Sequence, residues 1–518
     1  MQFATQHGDN ASFANRRSDR LAGFSLAAGM GAVSWILLNH ITLMNDVVWQ
    51  FWVARQLLGG SRLYTQIWEV NPPLWFWSAV PIEWLAERTG IAWPKVLITV
   101  IVGLGAVSAM LVERLLEPER VWQRLCLVLL IFIAVVIVPL AETGQREQLA
   151  LMASLPYAAL IARRHAGQAT PVALAAAVGL LGAYGFAFKH YFVLVPLGLE
   201  LWLGWHLRRA WRPWRPELIM LMAAAVVYGG CIVVFAPAYL TVMVPMVRTA
   251  YFIFNASPFV MLVQSSVLFW AYCAVILLIL RSQPRAATSA TMAAGMQAMV
   301  VTAAGFALAY WLQKKGWGYH GIPVTGAIVA ATAVNLLRLR RPVLIGNCAI
   351  MIVWAATGGY GAVSPDSAPR PFIDRVPTGE ALFVGAIDAG VAWPTTERRH
   401  LIWVSRSYSL WPVVAIIIGE RSGAVTPLLR RITDQVVTAT SQDIRCTPPW
   451  LIQIERFGPS PGDPQGLAFQ DLLFRDKALR RFVADHYDPL PGTADAMAWQ
   501  RRGRVAGITG PMCRSIRQ

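Results

Sequence analysis

Long apolar runs separated by short polar stretches make up the first two-thirds of the chain. A run of about 20 apolar residues is long enough to cross the hydrocarbon core of a bilayer as a helix. We predict eleven membrane-spanning helices, at 21–39, 95–113, 123–140, 148–162, 170–186, 190–206, 217–236, 259–280, 292–312, 322–337 and 342–360. The pattern therefore indicates a polytopic α-helical membrane protein.

One further apolar region, 73–93, has a different character. Pro81 and Pro94 interrupt it, and Glu83, Glu87 and Arg88 lie within it. We expect helices that lie in the membrane interface here, because charges and proline disfavour a spanning segment. A spanning helix at this place would reverse the sidedness of every later loop.

The pattern changes after residue 360. A linker-like segment at 363–371 precedes short apolar runs at 381–387, 401–404, 413–418 and 451–454, with helical patterns at 427–438 and 469–487. Such alternation is typical of a small α/β or α+β domain. We therefore predict a cytoplasmic N-terminus at 1–20, a membrane domain at 21–360 with its first external loop at 40–94, and an extracytoplasmic domain at 361–518.

Composition excludes a soluble protein. Of the 518 residues, 56% are hydrophobic and only 14% are charged, and the mean hydropathy is +0.48. The net charge of +17 does not indicate nucleic-acid binding, because the arginines recur as short clusters between apolar runs. By the positive-inside rule these clusters are cytoplasmic loops, so residues after 360 lie outside. The clusters are Arg16, Arg17 and Arg20; Arg114, Arg120 and Arg124; Arg163 and Arg164; Arg208, Arg209, Arg212 and Arg215; Arg281 and Arg285; and Arg338, Arg340 and Arg341.

The cysteines divide between the two predicted domains. Cys446 and Cys513 fall in the external tail, where they could pair in an oxidising compartment. The other four lie in predicted spans, where a thiol acts as a small apolar filler. No C-x-x-C or clustered histidine pattern indicates a structural metal site.

The predicted external loops carry the candidate chemistry. The first loop has Asp46 near its start, and Glu69 and Asn71 directly ahead of Pro72-Pro73. Tryptophans surround these residues, most simply as an aromatic belt at the membrane interface. They are Trp49, Trp52, Trp68, Trp75 and Trp77.

Later external loops add acids and cations to the same side of the membrane. Ionisable groups at this depth are costly unless they pair or function, so together they indicate a functional site. They are Glu142, Arg146 and Glu147 in the second loop, Lys189 in the third, Arg248 and Tyr251 at 237–258, and Lys314, Lys315, Tyr319 and His320 in the fifth.

The order of these motifs along residues 20–340, followed by an external domain, resembles the GT-C class of membrane glycosyltransferases. The resemblance is to the bacterial branch related to protein O-mannosyltransferases and aminoarabinose transferases. Their E-K-P-P-L stretch is matched by Glu69-Val-Asn-Pro-Pro-Leu74, with Asn71 where lysine is usual. Their Q-K-x-x-Y-Y-x-x-P element is matched loosely by 313–323.

The resemblance implies an enzyme of the bacterial inner membrane. It would move a sugar from a polyprenyl-phosphate carrier to a glycan, lipid or protein acceptor on the extracytoplasmic face, inverting the anomeric carbon. Asp46 would be the general base. Further acids would be Glu69 and either Glu142 or Glu147, and the donor phosphate would be bound by Asn71, Lys189, Arg248, Tyr319 and His320.

A divalent cation is a further implication of the resemblance. Some relatives hold one between acids of the first two loops, so Asp46 with Glu142 or Glu147 could bind Mg²⁺ or Mn²⁺. In the external domain, Arg406, Tyr408 and Trp411 suit sugar or phosphate contact, although an ordinary domain surface explains them equally.

Each candidate also has a structural interpretation. Asp46 could be a capping or first-turn acid, and Lys189 could extend from the end of a span to the interface. Glu69 could pair with Arg62, Glu147 with Arg146, and His320 could be an interfacial histidine with satisfied hydrogen bonds.

Two other classes of function remain open. A transporter or flippase would keep charges at mid-membrane and show internal repeats, which are not detected here. A ligase or polymerase of lipid-linked polysaccharide would centre on a long external loop with paired arginines late in the chain, whereas 237–258 holds one.

Overall fold

A computed structural model of the chain describes residues 25–26, 28–281, 289–338, 370–457, 466–509 and 513. The predicted cytoplasmic N-terminus, the span at 342–360 and most of the linker at 363–371 lie outside the described residues. The predicted boundary between the two domains lies there too, so the domain limits stay a prediction.

Helices dominate the described chain, and a small set of strands lies near its C-terminus. The helices are α1 (Ala28–Leu38), α2 (Asn45–Leu58), α3 (Leu74–Thr89), α4 (Trp93–Leu116), α5 (Val121–Phe132), α6 (Arg146–His165), α7 (Val172–Phe186), α8 (Leu194–Leu207), α9 (Pro216–Phe235), α10 (Val244–Ala250), α11 (Pro258–Leu262), α12 (Ser265–Arg281), α13 (Ala290–Gln313), α14 (Ile322–Leu336), α15 (Thr395–Arg398), α16 (Pro412–Arg421), α17 (Pro427–Cys446), α18 (Phe469–Leu473) and α19 (Lys477–His486). The strands are β1 (Ala381–Gly385), β2 (Ile402–Trp403), β3 (Leu451–Phe457), β4 (Leu467–Ala468), β5 (Tyr487–Pro489) and β6 (Ala496–Arg501).

Backbone contacts divide the chain into two compact units. The first, which we call the helical unit, is made of the described residues of Met1–Thr42, Thr89–Gly229 and Ala256–Pro365. The second, which we call the loop–sheet unit, joins Leu43–Arg88 and Gly230–Asn255 with Asp366–Gln518. The first predicted external loop therefore packs in the same unit as the C-terminal part of the chain.

Helices account for most of each predicted span within the described residues, although the predicted span at 259–280 is divided between α11 and α12. Among those residues, α4, α9 and α13 are long and apolar enough to cross a membrane by length and composition. Shorter apolar helices lie at Ala28–Leu38, Val121–Ile137, Val172–Phe186, Tyr239–Phe254 and Ser265–Ile279. The predicted helical class is confirmed, but the number of eleven spans is not.

Small residues set the close packing of the helical unit. A Cβ added at Gly185 of α7 would lie 2.5 Å from the Cβ of Ala153 in α6, and one added at Gly326 of α14 would overlap Leu151. Helices in a bilayer associate through such close contacts, because lipid supplies no hydrophobic driving force. Almost every residue of α6 is buried, so this helix forms the centre of the unit.

The region predicted to break at Pro81 forms one helix instead. Pro81 lies inside α3, which runs without interruption to Thr89. Pro94 lies in the first turn of α4, where a missing backbone N–H costs nothing. The expected interruption at Pro81 is therefore wrong.

The strands form a mixed sheet in the order β2-β1-β3-β6-β5, with β4 paired to β3. β1 is parallel to β2 and β3, and β6 is antiparallel to β3 and β5. The apolar run at 413–418, grouped with the strands by its composition, forms helix α16 with Pro412 in the first turn. The predicted helix at 469–487 is two helices, because Asp476 caps the start of α19 by accepting from Ala478 N and Leu479 N.

The two cysteines of the predicted external tail pair. A disulfide joins Cys446, the last residue of α17, to Cys513, across 67 residues of sequence. It joins Cys513 to the helix that also carries Asp443.

Candidate active-site residues

The first candidate acid begins helix α2. Asp46 lies in the first turn, and the preceding N-cap residue, Met44, provides no side-chain cap. A carboxylate in this position is stabilised by the positive end of the helix dipole. Asp46 is half-buried, and its Oδ1 accepts a hydrogen bond of 3.0 Å from the hydroxyl of Tyr408. It is therefore a first-turn acid with a specific donor from the C-terminal region.

An aromatic stack lies beside this acid. The ring of Trp49 stacks on Tyr408, with centroids 5.0 Å apart, and on Trp52, at 4.5 Å. Trp49 and Trp75 are each only 1% exposed. Their expected place in an aromatic belt is therefore wrong, and both belong to the core of the loop–sheet unit.

Glu69 organises the turn ahead of Pro72-Pro73. Its Oε2 accepts from Trp49 Nε1 at 2.8 Å, and its Oε1 accepts from the backbone N and the Nδ2 of Asn71 at 3.0 and 2.7 Å. Glu69 is 4% exposed. Because neighbouring donors hold both oxygens, Glu69 is placed to shape the loop and to orient the Asn71 amide. We name Asp46, Trp49, Glu69, Asn71 and Tyr408 the first-loop cluster.

Arg406, a candidate for phosphate contact, is held inside the unit. Its Nε and Nη2 donate to Asp443 Oδ1 at 2.9 and 2.7 Å, and its backbone N donates to Oδ2 at 2.9 Å. Burial raises the pKa of Asp443, and the neighbouring Arg406 opposes that shift. The structure thus favours the structural interpretation of Arg406. Trp411 likewise packs, edge to face, on Tyr251 at 5.5 Å.

Arg55, which the sequence did not single out, joins three helices. Arg55 of α2 pairs with Glu83 of α3 at 2.8 Å and with Glu397 of α15 at 2.9 Å. An acid in the predicted interfacial segment and an acid in the C-terminal region thus share one cation. The position of Glu83 within an apolar region was the available sequence signal, since a carboxylate that becomes buried needs a partner.

The helical unit contains a separate set of candidates. Glu147, in the first turn of α6, is fully buried, and its Oε1 lies 2.5 Å from Lys189 Nζ. The same ammonium donates to Gln313 Oε1 at the end of α13, at 3.0 Å. Glu147 therefore takes Lys189 as its ion-pair partner, which places the acid of the second loop against the cation of the third.

Two residues of the fifth loop complete this set. His320 Nε2 lies 3.8 Å from Glu147 Oε1, and the ring of Tyr319 lies 5.6 Å from Lys189 Nζ, within cation–π range. Burial lowers the pKa of His320 well below its ordinary value, and Lys189 and Arg146 lower it further. The imidazole is therefore neutral at pH 7. We name Glu147, Lys189, Gln313, Tyr319 and His320 the interior cluster.

Gln313 is the one member of the interior cluster that the sequence did not single out. It is the first residue of the element that resembles Q-K-x-x-Y-Y-x-x-P, so the sequence did contain a signal for it. The charged residues that follow it were the more obvious candidates. Its Nε2 donates to Ala309 O at 3.0 Å, which leaves the oxygen directed at Lys189.

The remaining candidates differ in how far they are buried. Glu142 is half-buried in the short turn Leu140–Glu142, ahead of α6. Arg248 is exposed in the last turn of α10 and has no ion-pair partner among the residues that the structure describes. Lys314 is exposed, whereas Lys315 is half-buried, and that burial lowers its pKa to about 8.

The residues present do not fit the predicted metal site. Within the described ranges, no three His, Cys, Asp or Glu side chains are grouped so that they could hold an ion. Glu147 already faces an ammonium group, which would repel a cation, and Asp46 accepts from a tyrosine hydroxyl. We derive no step through Mg²⁺ or Mn²⁺.

Comparison by sequence finds no relative. No protein-family profile matches the chain, and no curated protein matches it.

Comparison by structure gives a clear likeness over nearly the whole chain. ArnT from Cupriavidus metallidurans bound to undecaprenyl phosphate aligns with a TM-score of 0.56 and 12% identity, over 94% of this chain and 99% of that one. The apo state of the same protein aligns with a TM-score of 0.51 and 14% identity, over 95% and 100%. Mycobacterial arabinofuranosyltransferase AftD aligns with a TM-score of 0.44 and 13% identity, over 92% of this chain and 40% of that one. The chain has the fold of ArnT, so the predicted resemblance to the aminoarabinose transferase branch is confirmed at the level of fold.

Proposed function

We propose that the chain is an integral membrane glycosyltransferase that moves a sugar from a polyprenyl-phosphate carrier to an acceptor on the extracytoplasmic face. The observation that carries the proposal is the first-loop cluster, where Asp46 is oriented by Tyr408 at the start of α2. The fold supports it, since ArnT has been solved with undecaprenyl phosphate. The apolar helices support a membrane location.

The proposed reaction is a single displacement in which Asp46 is the general base. The acceptor hydroxyl or amine attacks the anomeric carbon and gives its proton to the Asp46 carboxylate. The bond between that carbon and the phosphate oxygen breaks, and the polyprenyl phosphate leaves with the electron pair. Attack opposite the leaving group inverts the anomeric configuration.

The other predicted acids take different roles in this proposal. Glu69 acts by holding the Trp49 indole and the Asn71 amide, because its two oxygens accept from them. Glu147 acts by holding Lys189, and half-buried Glu142 remains the alternative acid of the second loop.

Negative charge on the leaving phosphate requires cations and neutral donors. In the loop–sheet unit, exposed Arg248 suits this role best, because no described carboxylate compensates its charge; Asn71 would add a neutral donor. In the helical unit, Lys189, Tyr319 and neutral His320 remain the proposed donor-phosphate residues. The charge of Lys189 is already balanced by Glu147, so we assign the larger electrostatic contribution to Arg248.

The proposed sidedness rests on two kinds of evidence. The Cys446–Cys513 disulfide is typical of an oxidising compartment, which favours an extracytoplasmic location for the C-terminal part. The arginine clusters at Arg163-Arg164 and Arg208–Arg215 favour the cytoplasm for the loops that carry them.

The test is transfer of radiolabelled sugar from a panel of polyprenyl-phosphate sugars to membrane extract. Asp46→Asn is compared with wild type and with Asp434→Asn, which removes an exposed acid of α17 in the same unit. We expect Asp46→Asn to reduce transfer by about 10²–10⁴-fold, the usual contribution of a general base, and Asp434→Asn to leave it unchanged.

Folding is checked by the melting temperature of each purified variant in detergent. Full activity of a folded Asp46→Asn variant would remove Asp46 from the mechanism. A wild type that moves intact lipid-linked sugar across vesicles, with no transfer from any donor, would favour the flippase alternative.

A further inference from the structure

The contact between Tyr408 and Asp46 joins residues that are 362 positions apart in the chain. The Tyr408 hydroxyl donates to Asp46 Oδ1 at 3.0 Å, and its ring stacks on Trp49, one turn further along α2. Two independent contacts thus set the position of the tyrosine relative to the start of α2. Neither the hydrogen bond nor the stacking contact is expected of a tyrosine that lies on the surface of an accessory domain.

The segment that carries Tyr408 is held from the side of the C-terminal region. Arg406 is held by four hydrogen bonds to Asp443 of α17. Ser407 donates from its backbone N to Ser405 Oγ at 3.1 Å, and its carbonyl accepts from Trp403 Nε1 at 3.2 Å. This segment therefore has little freedom to turn, and the tyrosine is presented in one direction.

The same segment is held from the side of the first loop. Trp68 N donates to Arg406 O at 2.8 Å, and Trp68 and Ser407 form a parallel bridge. Glu69, the next residue, accepts from Trp49 Nε1. Because Trp49 also stacks on Tyr408, the loop, the tryptophan and the tyrosine form a closed ring of contacts, and Tyr408 joins that ring to Asp46.

We propose that Tyr408 is a positioning residue for the first-loop acid, supplied by the C-terminal region. This inference rests on the proposed function, since it gives Tyr408 a role only where Asp46 takes a proton. The hydroxyl holds the carboxylate in one orientation for the incoming acceptor, which lowers the entropy cost of reaching the reactive geometry. The C-terminal region is thereby part of the catalytic site, in addition to any acceptor binding.

The test compares Tyr408→Phe with Tyr487→Phe. Tyr487 is the matched control, because its hydroxyl also donates a hydrogen bond, to Pro449 O at 2.8 Å, elsewhere in the same unit. Tyr408→Phe keeps the ring that stacks on Trp49 and removes only the donor. We expect it to lower kcat on the order of 10- to 100-fold with the donor KM unchanged, whereas Tyr487→Phe leaves kcat unchanged.

A double-mutant cycle tests the contact between Tyr408 and Asp46 without an activity assay. Melting temperatures are compared for wild type, Tyr408→Phe, Asp46→Ala, which removes the acceptor oxygen, and the double variant. If the hydroxyl and the carboxylate interact, the shift of the double variant is smaller than the sum of the single shifts. Additive shifts would overturn the contact.

The two proposals fail in different ways. An active wild type with an unimpaired Tyr408→Phe variant would overturn the positioning role and leave the glycosyltransferase proposal standing. A rise in donor KM with an unchanged kcat would overturn it too, because that result is typical of a binding residue. A wild type inactive with every donor would count against the proposed function, and the melting cycle would still decide whether the two residues interact.

Discussion

Lys189 Nζ lies 2.5 Å from Glu147 Oε1 in the interior of the helical unit, where Glu147 is wholly buried. The pair joins the start of α6 to the turn between α7 and α8. Bringing two charges out of water is costly, and their attraction offsets that cost only while both are present. Removing either partner would therefore leave a buried charge without compensation.

The first prediction concerns this pair. Glu147→Gln and Lys189→Met should each reduce the free energy of unfolding by about 3–5 kcal/mol, because each leaves one buried charge without compensation. The double variant should be less destabilised than the sum of the two. The measurement is the thermal unfolding of each purified variant in detergent.

The control for that experiment is an exposed pair. Asp488 and Arg502 lie 2.7 Å apart, with 65% and 47% of their side chains exposed. Removing a solvated ion pair changes stability by about 0–1 kcal/mol, so Asp488→Asn should melt close to wild type. Equal effects of Glu147→Gln and Asp488→Asn would show that the interior pair is open to water.

The second prediction concerns Arg248, the exposed cation of α10. Arg248→Gln should raise the KM for the polyprenyl-phosphate donor about tenfold or more, because a charge-assisted contact to phosphate is about twice as strong as a neutral one. Its melting temperature should stay near that of wild type, since no described residue pairs with it. Steady-state kinetics with varied donor measures the effect.

Arg431→Gln is the matched control, because Arg431 is an exposed arginine of α17 in the same unit. It should leave the donor KM unchanged. If both variants raise the KM alike, the effect comes from net charge and not from a site at Arg248.

The long helices of the helical unit were predictable from local pattern. The run at 95–113 lies within α4, Trp93–Leu116, because a long apolar segment has few alternatives to a helix. The acids that matter were also visible, since Asp46 and Glu147 stand out against apolar surroundings. Short runs were ambiguous: 413–418 is compatible with a strand or a buried helix, and Pro412 in the first turn was the only signal for α16.

The partners of those acids were not predictable. Tyr408 lies 362 residues from Asp46, and no periodicity or spacing links positions so distant. The pairing of Glu147 with Lys189 could not be predicted either, since the neighbouring Arg146 was the obvious partner in the sequence. Local rules identify groups that need a partner, whereas tertiary packing selects which one they receive.

The third prediction is a pH dependence at Lys315. Burial lowers the pKa of Lys315 to about 8, whereas an unfolded lysine titrates near about 10.4. Between these values the unfolded chain binds more protons than the folded one, so stability rises with pH across that window. Lys315→Met should therefore melt higher than wild type at pH 7, and the difference should shrink as the pH rises beyond about 8.

Lys314→Met is the control for that measurement, because it changes the neighbouring lysine, which is exposed. Its melting temperature should follow wild type at pH 7 and at high pH. A gain that is the same for Lys315→Met at both pH values would mean that the methionine contributes packing alone.

The fourth prediction concerns the disulfide between Cys446 and Cys513. The loop it closes spans 67 residues, for which the chain-entropy treatment gives about 4 kcal/mol of stabilisation. The double variant Cys446→Ser/Cys513→Ser should lose about that amount. Because Asp443 lies in the same last turn of α17 and clamps Arg406, transfer should fall as well.

The control is Cys126→Ala, which removes a free thiol. It should leave both the stability and the transfer activity unchanged. A double variant that melts lower yet transfers normally would show that α17 holds Arg406 without the disulfide.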